Sequence, residues 1–482
     1  MTTTIAQSRQ EEGDVVNESQ LEEPLLDRSE SSSSTQWIVD GLPFETSALI
    51  KSLYFLDALG SSTWGRFSAI YYNLHGLNSA HIGLIEGLRT AVPTVSMVLW
   101  GVVADTFHSR KSVWLITKTV STVILLTLAI PYVYSSFLRI LGVSVFAQLF
   151  VSNGVLDAYT LDLLGTENKI FYGRYRLYAS LSWGLGSIMM GWVTDHYGFE
   201  PNFILFALLG GLMVFLVTTR VPETSPPTEA TTGQSGKVIE LLLLAIRPRV
   251  LVFLIEVVVM GAGMATVENL LFLYLVNDLD ASTLLCGLSV GVNVLFELPI
   301  FWYASKFMAV LGHDGMFILA MSCFVFRVFG YTLLTPTTKW FVLALEIMHG
   351  ITFACFWVVS TDISKVLVHQ TRGAFWSTAI PSSVQMLYAS FGVSFGSVIG
   401  GWAMHRYGSR EMYRFTSGMV FCTLVLHVIG SIATRILCGG ESFLPDYKDG
   451  DDEQSESDEP SEEQVQQNES SEIAVDCDAS LS

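Results

Sequence analysis

Charge is scarce through the middle of this chain, and that scarcity excludes most soluble functions. Charged residues make up only 15% of its 482 residues and apolar ones 50%, a balance foreign to a solvated surface. The formal charge of −19 comes from the ends: residues 1–47 hold ten acids and two bases, residues 439–482 fifteen acids and one base, and 20 acids and 23 bases lie between. Cysteine is sparse, confined to the second half (Cys286, Cys323, Cys355, Cys422, Cys438, Cys477), and shows no CxxC or Cys/His spacing. A disulfide framework or a zinc site is therefore not expected. The sequence has no GxxxxGK[ST] loop, no HExxH, no nucleophile–base–acid set and no basic stripe. ATP-driven work, enzymatic chemistry and nucleic-acid binding lose their support with them, and no cofactor is expected. The first 35 residues lack the apolar core of a signal peptide, so the first long apolar segment is expected to direct its own insertion.

What the chain does have is long apolar runs, each able to cross a hydrocarbon core of ~30 Å as a helix of about 20 residues. They predict spans at 49–72, 79–103, 113–134, 138–164, 174–196, 202–219, 249–276, 283–305, 314–335, 339–364, 374–404 and 411–437. These must be helices, because lipid offers no partner to bare backbone groups. A Pro/Thr/Gly/Ser-rich stretch at 221–246 reads as a linker. The expected organisation is a disordered acidic tail (1–47), a six-helix bundle (48–220), the linker, a second six-helix bundle (247–438) and a disordered acidic tail (439–482). An internal repeat supports the halving. Gly186-Ser-Ile-Met-Met-Gly-Trp-Val-Thr-Asp-His-Tyr-Gly198 aligns without gaps on Gly396-Ser-Val-Ile-Gly-Gly-Trp-Ala-Met-His-Arg-Tyr-Gly408, with six of thirteen positions identical, and duplicated halves are a transporter signature.

Basic residues divide twelve to five in favour of placing both tails in the cytoplasm. Ionisable residues inside the spans are costly, by ~2.5–3.5 kcal/mol each on insertion scales, and mark candidate function. Glu86 and Arg89 are three residues apart on one face of the second helix, at a depth shared with Arg66. Glu297 and Arg327 fall near the midplane of the eighth and ninth helices. Either pair can simply neutralise itself or can serve transport. Glu346 and His349, again i,i+3, set a carboxylate beside an imidazole, suited to proton exchange near neutral pH or to a packing role. Glu268 and Asn269 add an acid and an amide on the seventh helix. Asp157 and Asp162 lie where Arg174 or Arg176 can close an inner gate. Asp57 has no evident partner, and His427 reads as a packing residue. Trp64, Tyr71, Trp183, Phe296, Phe353 and Trp357 are candidates to line a cavity.

The loop Gly101-Val-Val-Ala-Asp105-Thr-Phe-His108-Ser-Arg110-Lys111 resembles the signature loop of the major facilitator superfamily in the spacing seen in lactose permease, departing from it where His108 replaces a glycine. The resemblance implies that Gly101, Asp105, Arg110 and Lys111 form a conformational latch. Tyr172-Gly-Arg-Tyr-Arg176-Leu-Tyr-Ala-Ser180, Leu156-Asp-Ala158, Glu297-Leu-Pro299 and His349-Gly-Ile-Thr-Phe353 look like the branch holding phenylpropionate permeases and nucleoside–proton symporters.

The expectation is therefore an all-α membrane protein of twelve transmembrane helices in two pseudo-symmetric six-helix bundles. Its expected function is proton-coupled symport of a small organic solute by a monomer. Uncoupled facilitation and a non-transporting receptor or scaffold are the alternatives. A near-dileucine signal, Leu21-Glu-Glu-Pro-Leu-Leu26, leaves plasma membrane and endomembrane both open.

Overall fold

The computed structural model describes residues 38–107, 109–151, 154–222, 242–371, 376–437 and 442–445. The predicted linker, apart from its edges, and most of both acidic tails lie outside the described residues, as does the dileucine-like segment. A two-stranded hairpin, β1 (Ile38–Val39) and β2 (Leu42–Pro43), leads into α1 (Phe44–Trp64) and α2 (Phe67–Leu74). Then follow α3 (Ser79–Thr106), α4 (Arg110–Leu126), α5 (Pro131–Tyr134), α6 (Phe137–Gln148), α7 (Gly154–Asn168), α8 (Tyr172–Tyr197) and α9 (Glu200–Arg220). The second half comprises α10 (Pro248–Asn277), α11 (Thr283–Trp302), α12 (Ala304–Tyr331), α13 (Val342–Thr371), α14 (Trp376–Met386), α15 (Ser394–Tyr407) and α16 (Ser409–Leu437). Between α14 and α15 the chain continues as a π-helix, Leu387–Val393.

Local chemistry sets several boundaries. Pro248 occupies the first turn of α10, where its missing N–H costs nothing. The Ser282 hydroxyl caps α11 by accepting from Leu285 N at 3.2 Å. Gly198 and Gly408, the last residues of the two repeat copies, stop α8 and α15 with φ of 77° and 89°, a conformation glycine adopts without penalty.

Among the described residues, nine helices are long and apolar enough to cross a bilayer. The expected spans at 49–72, 138–164 and 174–196 are not among them, each for a local reason. The first is broken at Gly65–Arg66, between α1 and α2. The second is split into α6 and α7, of 12 and 15 residues. The third, α8, is 26 residues long but is diluted by Arg174, Arg176, serines and glycines. Two expected boundaries also move: the hairpin and the start of α1 lie within the predicted N-terminal tail, and residues 442–445 of the predicted C-terminal tail are packed against the bundle.

The halves meet along two seams, α8 against α11 and α3 against α15. Both are tightest at the end remote from the start of α1, called here the far end. The repeat explains their closeness. At Gly401 of α15 an added Cβ would meet Ser79 O at 2.5 Å and Gly83 Cα at 2.7 Å, and at its counterpart Gly191 of α8 it would meet Leu284 Cα at 3.0 Å. The same glycine of each repeat copy thus lets one half approach the other's backbone. Asp195 reinforces the first seam. Its carboxylate accepts from Thr283 N (2.7 Å), Thr283 Oγ (2.5 Å) and Leu284 N (2.9 Å), so a side chain of one half caps the first turn of α11 in the other. Asn73 donates to Asn277 across the halves at 3.0 Å, and Ser390 to Thr94 at 2.7 Å.

Candidate functional site

The break between α1 and α2 places Arg66 at the start of the candidate site. Gly65 leaves the helix (φ 5°, ψ −114°) and lies against Trp183, whose ring an added Cβ would meet at 2.5 Å. Arg66 is half-buried and faces Glu268 of α10 and Glu297 of α11. Arg66 therefore looks across to the second half.

Glu86 and Arg89 close on themselves. Arg89 Nη1 donates to Glu86 Oε1 and Oε2 at 2.8 and 2.7 Å and to Ser68 Oγ at 2.8 Å, while Ser68 Oγ donates to Glu86 Oε1 at 2.7 Å. Of the two roles open to this pair, the geometry is that of a neutralised strut between α2 and α3.

The expected partnership of Glu297 with Arg327 gives way to a different one. Glu297 faces Arg66 and Ser180, whereas Arg327 faces Glu268 and shares the surroundings of Tyr331 with Glu346. Arg327 is fully buried, with its guanidinium over the Phe324 ring at 5.3 Å. Among the described residues its Nη2 reaches only Met264 Sδ at 3.7 Å, and its Nε and Nη1 have no hydrogen-bond partner. A buried cation so thinly solvated is costly unless carboxylates or a bound anion compensate it. Glu346, also fully buried, accepts a hydrogen bond from Tyr331 on one oxygen. Its other oxygen is unpartnered and lies 3.9 Å from His349 Nδ1, itself unpartnered. The gap is too long for a hydrogen bond and short enough for a small rotation to close.

Beyond His349 the same face of α13 carries two aromatic rings. His349 lies parallel to Phe353 (centroids 6.4 Å, 15°) and Phe353 to Trp357 (5.9 Å, 13°), and Tyr388 of the π-helix meets Trp357 edge-on at 6.0 Å. Single π-helical turns within α-helices are frequent at functional sites. Asn269 Nδ2 is committed to Ser397 Oγ at 2.7 Å. Asn293, one turn before Glu297 on α11, is 3% exposed with neither amide atom partnered. Trp64 and Tyr71 sit instead in an aromatic cluster with Tyr72, Phe199 and Phe203. A cavity of about 310 Å³ beside the hairpin, lined by Val39, Phe44, Ser47 and Lys51, lies apart from this charged layer.

The gating candidates gather near the start of α1. Arg110 pairs with Asp162, and Lys111 donates to Thr218 O (3.0 Å) and Val221 O (2.6 Å), tying α4 to α7 and α9. Asp157 accepts from Tyr54 at 2.7 Å and lies 4.0 Å from Arg176. Arg174 bonds Asp40 at 2.7 Å and not Asp157 or Asp162. Gly101 is exposed with open space around it, and the Asp105 side chain lies outside the described residues. Burial opposes the charge of Asp40, but Lys51 (2.5 Å) and Arg174 outweigh it and hold this carboxyl below its usual range. Asp57 pairs with Lys118 at 2.6 Å, and His427, buried as a packing residue is, also contacts Glu256 through Nδ1 at 2.8 Å.

Sequence reasoning missed Asp195, Lys118, Tyr331, Asn293, Glu256 and Asp314. For Tyr331 and Asn293 a signal existed, each standing four residues from a charged candidate, Arg327 and Glu297, and so on the same helix face.

Residues 49–415 match the family described as the MFS_1 like family. The chain belongs to it. Its relatives include a maltose permease of Geobacillus stearothermophilus, 25% identical over 375 residues that cover 76% of this chain and 89% of the permease. Major facilitator superfamily domain-containing protein 6-like protein B of Xenopus laevis is 24% identical over 61% of this chain and 48% of its own length. Among solved structures, a mutant of the nucleoside transporter NupG superposes with a TM-score of 0.68 at 16% identity, over 80% of this chain and 99% of that one. A peptide transporter POT in complex with sulfate gives 0.65 at 15%, over 85% and 98%. This member of the family is thus a multi-pass membrane transporter with the major facilitator fold.

Proposed function

We propose that the protein is a secondary active symporter that moves a small organic solute together with a proton by alternating access. It acts as a monomer of twelve spans with both termini in the cytoplasm. The observation that carries this reading is the fully buried group of Arg327, Tyr331, Glu346 and His349 on α12 and α13. A carboxylate held by a phenol on one side and facing an imidazole across a 3.9 Å gap on the other can exchange a proton between two sites. Arg327, which shares the surroundings of Tyr331 with Glu346, offers its charge to that carboxylate or to a bound anion. Arg66, Glu268 and Glu297 contribute charge from both halves, and Asn293 with the α13 aromatics offers hydrogen bonds and ring faces to the solute. A relative named for maltose and a structural neighbour named for nucleosides are consistent with a polar organic solute. Arg110, Lys111, Asp157 and Arg176 serve as the inner gate, and the far-end seam closes the outer side.

The test is uptake by purified protein in proteoliposomes, with a pooled metabolite library and an imposed inward proton gradient. Accumulation above equilibrium that collapses with a protonophore is expected, and Glu346→Gln should abolish accumulation while keeping solute exchange. Equilibration indifferent to the gradient would leave uncoupled facilitation, and no flux from folded protein would leave the receptor reading.

A further inference from the structure

Residues 442–445 lie against the bundle, within the stretch where a solvated acidic tail was expected. Phe443 and Leu444 fold back onto the bundle, their N–H groups donating to Asp314 Oδ2 and Oδ1 at 3.0 Å each, and Ser431 Oγ donates to Oδ2 at 3.0 Å. Leu444 has no exposed surface. The Phe443 ring stands edge-on to the His427 imidazole at 5.3 Å and rests on Gly430, where an added Cβ would meet it at 2.5 Å. Phe317 stacks on the imidazole at 5.8 Å. His427 Nδ1 contacts Glu256 Oε1 at 2.8 Å, while Nε2, without a hydrogen-bond partner, points to Asp314 Oδ1 at 3.9 Å. Glu256, Asp314 and His427 are 3%, 1% and 1% exposed.

Two buried carboxylates therefore flank one imidazole, and one of them also holds the returning chain by its main-chain N–H groups. We propose that Glu256, His427 and Asp314 form a proton-operated clasp for residues 442–445, engaged when His427 is neutral and Asp314 ionised, and released when the triad takes up a proton. A proton on His427 turns Nε2 into a donor aimed at Oδ1, the oxygen that Leu444 uses. It also draws on the carboxylate charge that strengthens both N–H bonds. Protonation of Asp314 itself acts in the same direction. The titratable groups facing His427 are Glu256 from α10 and Asp314 from α12, and beside Asp314 in the chain stands His313. His313 contacts Asp362 at 2.9 Å, and Lys365 lies 3.9 Å from Asp362. The inference does not depend on the solute or on coupling at the central site.

The test places 4-fluorophenylalanine at position 443 of the full-length protein in nanodiscs and follows its fluorine resonance from about pH 8 to about pH 5. A docked signal should give way to a mobile one on acidification, the ratio changing up to ~tenfold per pH unit across the titrating range. Asp314→Asn should be mobile throughout. Gly430→Val, which displaces the ring without touching a charge, should be mobile as well. His427→Gln should stay docked and lose the pH step. A docked signal at every pH in the unmodified protein would overturn the proposal, as would Asp314→Asn remaining docked or His427→Gln retaining the full step.

Discussion

Asp195 offers the sharpest test of how the two halves are held. Its carboxylate accepts three hydrogen bonds from Thr283 and Leu284, acting as a helix cap supplied by the other half. Removing a capping side chain costs about 0.5–2 kcal/mol. Asp195 is exposed, so water re-solvates the freed N–H groups and a value near ~1 kcal/mol is the better expectation. In Asp195→Ala this loss falls only on states in which the seam is closed, so the ratio of closed to open far ends should drop ~5-fold, and at most ~30-fold. Spin labels at Tyr197 and Asp280, which flank the seam on opposite halves, report the change by pulsed electron resonance as a growing population at longer distance. The shift should be larger at low ionic strength, where the charge is less screened. An unchanged distance distribution in folded Asp195→Ala would refute the reasoning, because it would mean that the cap contributes equally to every state or to none.

The other seam answers to sterics. Gly401→Ala puts a methyl group into the backbone of α3, and overpacking of ~1–3 kcal/mol should open the far end by the same measure; a closed distribution counts against the glycine seam. Arg327→Met should lower thermal stability by ~3–5 kcal/mol, because it removes the buried cation that faces Glu268, and Arg327→Met with Glu268→Gln should recover at least about half of that loss. Strictly additive losses in the double-mutant cycle would show the two groups to be uncoupled. At the hairpin, Lys51 and Arg174 depress the Asp40 pKa. Its contribution is fully present above the unfolded value of ~3.9 and is lost as pH falls through the lower folded value. A fluorophore at Ile38 should therefore report an unchanged hairpin from about pH 7 to about pH 5 and loosening only below about pH 4. Loosening already near pH 6 would point to a different titrating group.

The periodic, locally encoded part of this architecture was legible in the sequence. The long apolar runs gave the nine helices that can cross a bilayer, because length and hydropathy are properties of one segment alone. The repeat gave the halving, and its shared glycine proved to be the residue that lets each half approach the other. The spans that do not satisfy that measure are those where function intrudes on hydropathy. The first helix breaks at Gly65 to place Arg66, and α8 carries Arg174 and Arg176, which reach Asp40 and Asp157.

Partnership was much less legible than position. Every candidate charge was visible, yet the structure re-pairs Arg66, Glu297, Arg327, Arg174, Asp57 and His427 with groups that sequence spacing did not indicate. The i,i+3 pairs were the most directly read in advance, because helix geometry fixes which residues share a face within one segment, and between segments Asp157 with Arg176 was among the expected pairs. Between segments, depth estimates good to a few residues leave about 5 Å of slack along the axis, more than the reach that separates an ion pair from two unrelated charges. That asymmetry bears on mechanism. Glu86 and Arg89, legible and local, satisfy each other in one half, whereas Arg66, Glu268, Glu297 and Arg327 gather from helices of both halves. A local pair keeps its geometry when the halves rock. A layer assembled across them must re-pair at each step, so charges that alternate in a transport cycle belong among those the sequence could not pair.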